Sequence, residues 1–510
     1  MYTLNNIWSV LTKQQKFQSS ILVLLMMINV LLELVGIGMI IPIISILTDQ
    51  DFLNNISYFS LVTNYFGEIN DINLLLFSVL IVVAVFTLKS IYSVFFIWWQ
   101  QFFSMNILID VSSRLFTNYL NQPYLYYLNV NSSYLINVIN REVSIFHGAI
   151  MQSITFTTEI VLIIGICSFL IYIEPIATMG TILTILVFVA IFILSVSKPI
   201  NKWGEQRVAH SERLTKHVIQ GINGIKDIKI LNREKMFLDE YVYENYKYSR
   251  VNRLNNTLQQ IPRIYLEFIA VLSFMVLVLI LAFQGNSISN ILPVLMLIGF
   301  STLRILPSFN RLTNSYQAVI FAKKSIRLVR NEIKKTKYLE IKHSNNKNST
   351  DLHNITKKVR PTIILNNISF TYPDTKKYSI NEINFKIKFG EFIGITGKSG
   401  AGKSTLMDLI LGLIEPQVGE ITLLNEANNS ELDITHSNLI GYVPQSIYLI
   451  DDTIKNNIAF GIPENEINEA KLDEAIKVCQ LSELINELQD GVNTLVGERG
   501  IRLSGGQRHR

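Results

Sequence analysis

Six stretches of the sequence, near residues 21–47, 72–98, 150–173, 176–197, 264–284 and 288–309, are apolar over the length needed to cross a bilayer as a helix, about 20 residues. No other feature limits the fold so strongly. Backbone polar groups in hydrocarbon must be satisfied within their own segment, so each run has to be helical. The remaining length of the 510-residue chain, of which 49% is apolar, predicts at least one further domain. The first run, from Ile21, is too long for a cleaved leader and lacks the small-residue end of one, so it reads as a span.

Charge in the connections sets the orientation. Residues 48–71 hold Asp49, Asp51, Glu68 and Asp71 but no Lys or Arg, whereas residues 198–263 carry Lys198, Lys202, Arg207, Arg213, Lys216, Lys226, Lys229 and Arg233. The excess of basic residues on one side places both termini and the two long connections, 99–149 and 198–263, in the cytoplasm. Those connections are poor in turn residues and read as helical continuations of the spans, turning near Pro123 and Gly224. The net charge of +5 is modest and gives no reason to expect nucleic acid. Two distant cysteines, Cys167 and Cys479, do not suggest a disulfide framework.

Residues 1–330 therefore form an all-helical membrane domain, and the basic, Asn-rich segment 331–360 reads as a linker. From 361 to 510 the pattern becomes α/β. "TIILNNISFTY" and "INEINFKIKFG" alternate as strands, "FIGITG" reads as a short buried strand, and "KSTLMDLILGLI" and "LDEAIKVCQLSELINEL" read as helices.

Between the "FIGITG" strand and the helix after it lies "GKSGAGKST": Gly397, Lys398, Ser399, Gly400, Ala401, Gly402, Lys403, Ser404 and Thr405. The spacing G-x-x-x-x-G-K-[ST] in a strand-to-helix turn is that of a phosphate-binding loop. Backbone amides can wrap a polyphosphate there, Lys403 can reach its outer phosphates, and the Ser404 hydroxyl can ligate Mg²⁺.

With Tyr372 in "SFTYPD", Gln445 in "GYVPQSIYL", "VGERG" at Val496 to Gly500 and "LSGGQ" at Leu503 to Gln507, this domain resembles the nucleotide-binding domain of ABC transporters of the exporter type. The resemblance covers essentially the whole chain: a six-helix membrane domain followed by an α/β P-loop NTPase domain of ABC type. It implies ATP and Mg²⁺ as cofactors, Tyr372 stacked on adenine, and Ser404 and Gln445 at the metal, with Gln445 sensing the nucleotide. It also implies that Ser504, Gly505, Gly506 and Gln507 of a second half-transporter cap the γ-phosphate, so the working unit would be a dimer, most simply a homodimer. The turns near Pro123 and Gly224 would be coupling helices. In that family a Walker B aspartate, a catalytic glutamate and a switch histidine follow the signature. With Arg510 last none can be assigned, and the expectation is an incomplete nucleotide domain that does not turn over ATP.

Charges within the spans are costly, about 2.5 to 3.5 kcal/mol at mid-bilayer, and therefore mark a cavity or a partner. They are Glu33, Lys89, Glu159, Arg263, Glu267, Arg304 and Arg311. Lys89, Arg263 and Arg304 fall towards the inner leaflet, and Arg304 and Arg311, two turns apart, share a helix face. Two readings stand at this point: snorkelling with an Arg263 to Glu267 ion pair, and anion binding. "IPRIYLE" and "RILPSFNRLTNSY" resemble segments of bacterial lipid-linked oligosaccharide flippases of the PglK type. That resemblance implies an amphipathic, anionic lipid-linked substrate held at its pyrophosphate by Arg263, Arg304 and Arg311, with Lys89 near them, and a place in the bacterial inner membrane. It would also make residues 54–66 a short external helix. Export of another lipid, a drug or a peptide, and a subunit that binds nucleotide without hydrolysis, are the alternatives.

Overall fold

The computed structural model describes residues 2–39, 71–173, 175–283, 288–344, 360–373, 375, 377–425, 430–432 and 440–510. The chain divides into two compact units, Met1–Leu352 and His353–Arg510.

The first unit is helical. Among the described residues a short helix α1 (Tyr2–Val10) precedes six long ones: α2 (Lys13–Gly38), α3 (Asp71–Leu120), α6 (Val143–Ile173), α7 (Pro175–Asn223), α9 (Glu234–Phe283) and α10 (Ile288–Phe321). Four stretches among the described residues, Lys13–Gly36, Val79–Leu120, Ser132–Tyr172 and Leu186–Asn223, are long and apolar enough to cross a membrane. The outer part of the first predicted span and the predicted helix at 54–66 lie outside the described residues.

Helices α3 and α9 have 50 residues each and α7 has 49, against the 20 or so that a bilayer needs. The surplus forms the helical extensions predicted for the long connections. At their ends lie two six-residue helices, α4 (Tyr124–Asn129) after Pro123 and α8 (Ile225–Ile230) after Gly224. Helix α5 (Ser132–Asn137) leads through a π-helical turn, Val138–Glu142, into α6.

Burial differs along these helices. The extensions enclose a core in which Ile107, Val111 and Leu115, one per turn of α3, are wholly buried with Val138, Val143, Ile326 and Val329. Across the predicted span of α3, by contrast, Leu80, Val83, Leu88, Ile91 and Val94 are exposed, as a lipid-facing surface requires. Helix α7 crosses the end of α10 so closely that a Cβ on Gly204 would lie 2.2 Å from the Phe321 carbonyl oxygen, which restricts this position to glycine. Helix α11 (Lys323–Ser344) carries Ile326 and Val329 into the core and continues well into the segment read as a linker.

The second unit holds a four-stranded antiparallel sheet of order β2-β1-β3-β4, with β1 (Pro361–Phe370), β2 (Ile380–Ile387), β3 (Val418–Asn425) and β4 (Ser430–Leu432). Strands β1 and β2 are two of the three predicted. The predicted strand "FIGITG" does not form: no strand covers it, and Phe392, Ile393 and Ile395 are exposed. A strand exists only as one half of a ladder, and among the described residues none lies beside this segment. Helix α12 (Lys403–Ile410) forms as predicted. The single predicted helix "LDEAIKVCQLSELINEL" is two, α14 (Glu469–Val478) and α15 (Ser482–Glu487), because the backbone turns left-handed at Gln480 with φ 55°. The short α13 (Ile454–Ile458) precedes them, and α16 (Gly505–His509) closes the described chain.

Candidate functional site

The glycine-rich loop lies open at the start of α12. Gly400 and Gly402 have φ of +79° and +89°, a region that residues with a Cβ seldom adopt. At Gly402 a Cβ would also lie 2.4 Å from the Ser379 carbonyl oxygen, whereas at Gly400 it would meet nothing. One glycine thus lets the loop pass close to the chain entering β2, and the other keeps its outer face bare backbone.

Lys403 Nζ donates to the carbonyl oxygens of Gly397 and Lys398, each at 2.9 Å, so the ammonium is folded over the loop by exchangeable partners. Ser404 is exposed and Thr405 buried. The Tyr372 hydroxyl lies 3.3 Å from Thr405 Oγ1, and its ring stands edge-on to Phe370 with centroids 5.1 Å apart. Tyr372 and the loop are therefore brought together from segments remote in sequence. The bare backbone, the helix N-terminus and the ammonium are the donor set that a phosphate chain with its Mg²⁺ requires.

Gln445 is exposed in an irregular segment, and "LSGGQ" forms the turn into α16. Ser504 caps that helix: its hydroxyl accepts from the Gln507 amide, and the Gln507 side chain accepts from the Ser504 amide at 2.7 Å. Gly505 and Gly506 are exposed, and a Cβ on either would meet no neighbour within 4 Å.

In the membrane helices, three of the four candidate cations are tied to carboxylates. Lys89 on α3 pairs with the buried Glu33 on α2 at 2.9 Å. Arg311 on α10 is held by Glu159 of α6 through Nε and, at 3.2 Å, through a terminal nitrogen, and it also donates to Ser308. Arg263 donates to Glu267 at 2.9 Å, and both are exposed. The backbone of Arg304 lies in α10, but its side chain is outside the described residues. The belt is thus largely neutralised from within. The Arg263 to Glu267 pair was legible from its spacing, while the Lys89 and Arg311 pairs join different helices and were not.

A further charge cluster escaped the sequence reading. On α7, Arg207 is 1% exposed and bonds Glu142 of the π-helical turn at 3.0 and 3.4 Å, and it also meets Ser325 on α11. Glu142 in turn adjoins Asn137, which accepts from Ser211 at 2.7 Å. Nothing in local periodicity announces that these residues meet.

Comparison with known proteins places both units. The family model for the ABC transporter transmembrane region matches residues 21–305, and that for the ABC transporter matches residues 380–510. An export ATP-binding/permease protein of Rickettsia typhi is 42% identical over 151 residues, 29% of this chain and 26% of that protein. An ATP-dependent lipid A-core flippase of Coxiella burnetii is 39% identical over 154 residues, 30% of this chain and again 26% of the relative. These matches span about a quarter of the relatives' length. Among solved structures, a bacterial Atm1-family ABC exporter with ATP bound superposes with a TM-score of 0.69 at 16% identity, over 97% of this chain and 82% of that one, a likeness of fold.

Proposed function

Because the chain belongs to the ABC transporter family, with the transmembrane region ahead of the ATP-binding region, we propose that it is one half of an ATP-driven exporter or flippase that moves an anionic lipid-linked oligosaccharide across the bacterial inner membrane. The observation that carries the transport reading is the joining of six long helices, whose extensions end in α4 and α8, to a glycine-rich loop with its Lys403 and Tyr372. ATP, bound with Mg²⁺ between two such halves, would supply the free energy for moving the substrate. Lys403 would exchange its carbonyl partners for phosphate oxygens, the amides of Gly400 to Lys403 would hold the chain of phosphates, and Ser404 and Gln445 would face the metal. Tyr372 would stack on the base, while Ser504 and Gly506 of the second half would close the other side. Helices α4 and α8 would transmit that closure to the membrane helices.

Arg263, Arg304 and Arg311, with Lys89 beside them, would meet the pyrophosphate of the substrate. Glu159 and Glu267 would be the partners that two of these arginines release when substrate arrives. Their pairing also favours a second reading, transport of a less strongly charged lipid. The lipid A-core flippases of Coxiella burnetii and Blochmanniella floridana among the similar proteins support export of another lipid without setting its charge.

The test is binding of a polyprenyl pyrophosphate-linked glycan and of an uncharged analogue to the purified chain in nanodiscs. The proposal expects tighter binding of the pyrophosphate lipid, lost on the Arg304→Ala/Arg311→Ala double substitution. Equal binding of both lipids, or no effect of the substitutions, would favour the second reading.

A further inference from the structure

Helices α7 and α9 run antiparallel, their register set where His210 Nδ1 meets Glu244 Oε2 at 2.6 Å. Beside that contact a cleft of about 320 Å³ opens between them, lined by Lys202, Trp203, Gln206 and His210 of α7 and Lys247 and Arg250 of α9, over Val251 and Leu254. Its charge is one-sided. Among the described residues neither Lys202 nor Arg250 has an ion-pair partner, and the Lys247 ammonium is occupied only by the ring and hydroxyl of Tyr243. The nearest carboxylates are engaged elsewhere: Glu244 bonds both His210 and Arg213, and Glu205 lines a separate cleft against α11. The opposite face of α7, with the buried Gly204, Arg207 and Val208, is turned into the bundle.

Its depth is informative. Lys198 is the first charge after the apolar run of α7, and Lys202 lies about 6 Å beyond it at 1.5 Å per residue. The headgroup layer on each side of the hydrocarbon is about 5 to 8 Å thick. Lys202 and Trp203 therefore fall in that layer on the basic side of the membrane. By the His210 to Glu244 register, Arg250 and Lys247 lie level with about residues 204 and 207, a few residues further from the hydrocarbon, and reach back towards that layer through their long side chains. Two ammonium groups and a forked guanidinium around one space, with an indole at the interface, match a phosphate anion better than a lone carboxylate.

We propose that this cleft binds the phosphate of an anionic lipid headgroup at the inner membrane surface, separately from the charges within the spans. The proposal requires only that α7 and α9 cross the membrane and does not depend on the transported substrate.

Native mass spectrometry of the delipidated, purified chain tests it by titration with phosphatidylglycerol or phosphatidylcholine. The first phosphatidylglycerol should bind about tenfold tighter than phosphatidylcholine, as loss of one or two charge-assisted hydrogen bonds would imply. The Lys202→Gln/Arg250→Gln variant should abolish the preference, while Arg253→Gln, which removes an exposed cation outside the cleft, should keep it. Inorganic phosphate added in competition separates the sources: displacement assigns the site to the phosphate group alone, and retention assigns it to the whole lipid. No preference in the unaltered chain, a preference that survives the double substitution, or equal loss in Arg253→Gln would overturn the proposal.

Discussion

Arg207 in the helical extensions and Lys403 in the phosphate loop are both cations within hydrogen-bond reach of oxygen atoms, yet their surroundings assign them opposite tasks. Arg207 is buried against a carboxylate that is itself fully buried, so its charge is consumed by the fold. Lys403 rests at an open loop on two neutral carbonyls, so its charge remains available to a ligand. A charge removed from water must find a fixed counter-charge or be lost, whereas one at the surface can exchange partners at little cost.

The largest effect should come from breaking the buried pair. Arg207→Ala leaves Glu142 without its counter-charge and should destabilise the helical unit by about 3 to 5 kcal/mol, read by thermal unfolding in detergent. Replacing both residues with apolar ones, Glu142→Leu with Arg207→Met, should recover most of that loss. A single substitution without measurable cost would end the contrast.

Lys403→Ala should do the reverse. ATP affinity, measured by equilibrium binding, should fall about 10- to 100-fold, the worth of a charge-assisted hydrogen bond, while the unfolding midpoint stays where it was. A drop in the midpoint would mean that this lysine also serves the fold.

A smaller, graded effect should sharpen the comparison at Glu244, between the two extremes. Burial acts to raise its carboxyl, but the hydrogen bonds and charges of His210 and Arg213 outweigh it and hold the group below the usual carboxylate range. The native state therefore binds its proton less readily than the unfolded chain. This contribution is complete above about pH 4.3 and is lost as pH falls through the lowered native value. Glu244→Gln should remove that part of the acid sensitivity of unfolding.

The smallest effect is expected at Arg263. Its exposed i, i+4 pair with Glu267 lies within about a turn of the basic end of its span, where both charges reach water by snorkelling, and contributes no more than about 0.5 kcal/mol, so Arg263→Ala should leave the unfolding midpoint nearly unchanged. Any change in lipid binding by that variant then reports on the ligand rather than on the fold.

The same distinction separates what could be read in advance from what could not. The six apolar runs, the loop from Gly397 to Thr405, strands β1 and β2 and the Arg263 to Glu267 pair all follow from local spacing: helix length, glycine positions, alternation and the i, i+4 rule. Each is determined by residues near one another in sequence, where covalent geometry fixes who meets whom. Tertiary structure alone decided that Arg207 meets Glu142, 65 residues away, that Arg311 meets Glu159 across 152, and that Tyr372 comes to rest on Thr405. It also decided against the strand at "FIGITG", whose apolar residues are of the right kind but have no neighbouring strand to bond. Ion pairs between helices and ladders between strands are properties of two segments, and a one-dimensional pattern describes only one segment at a time.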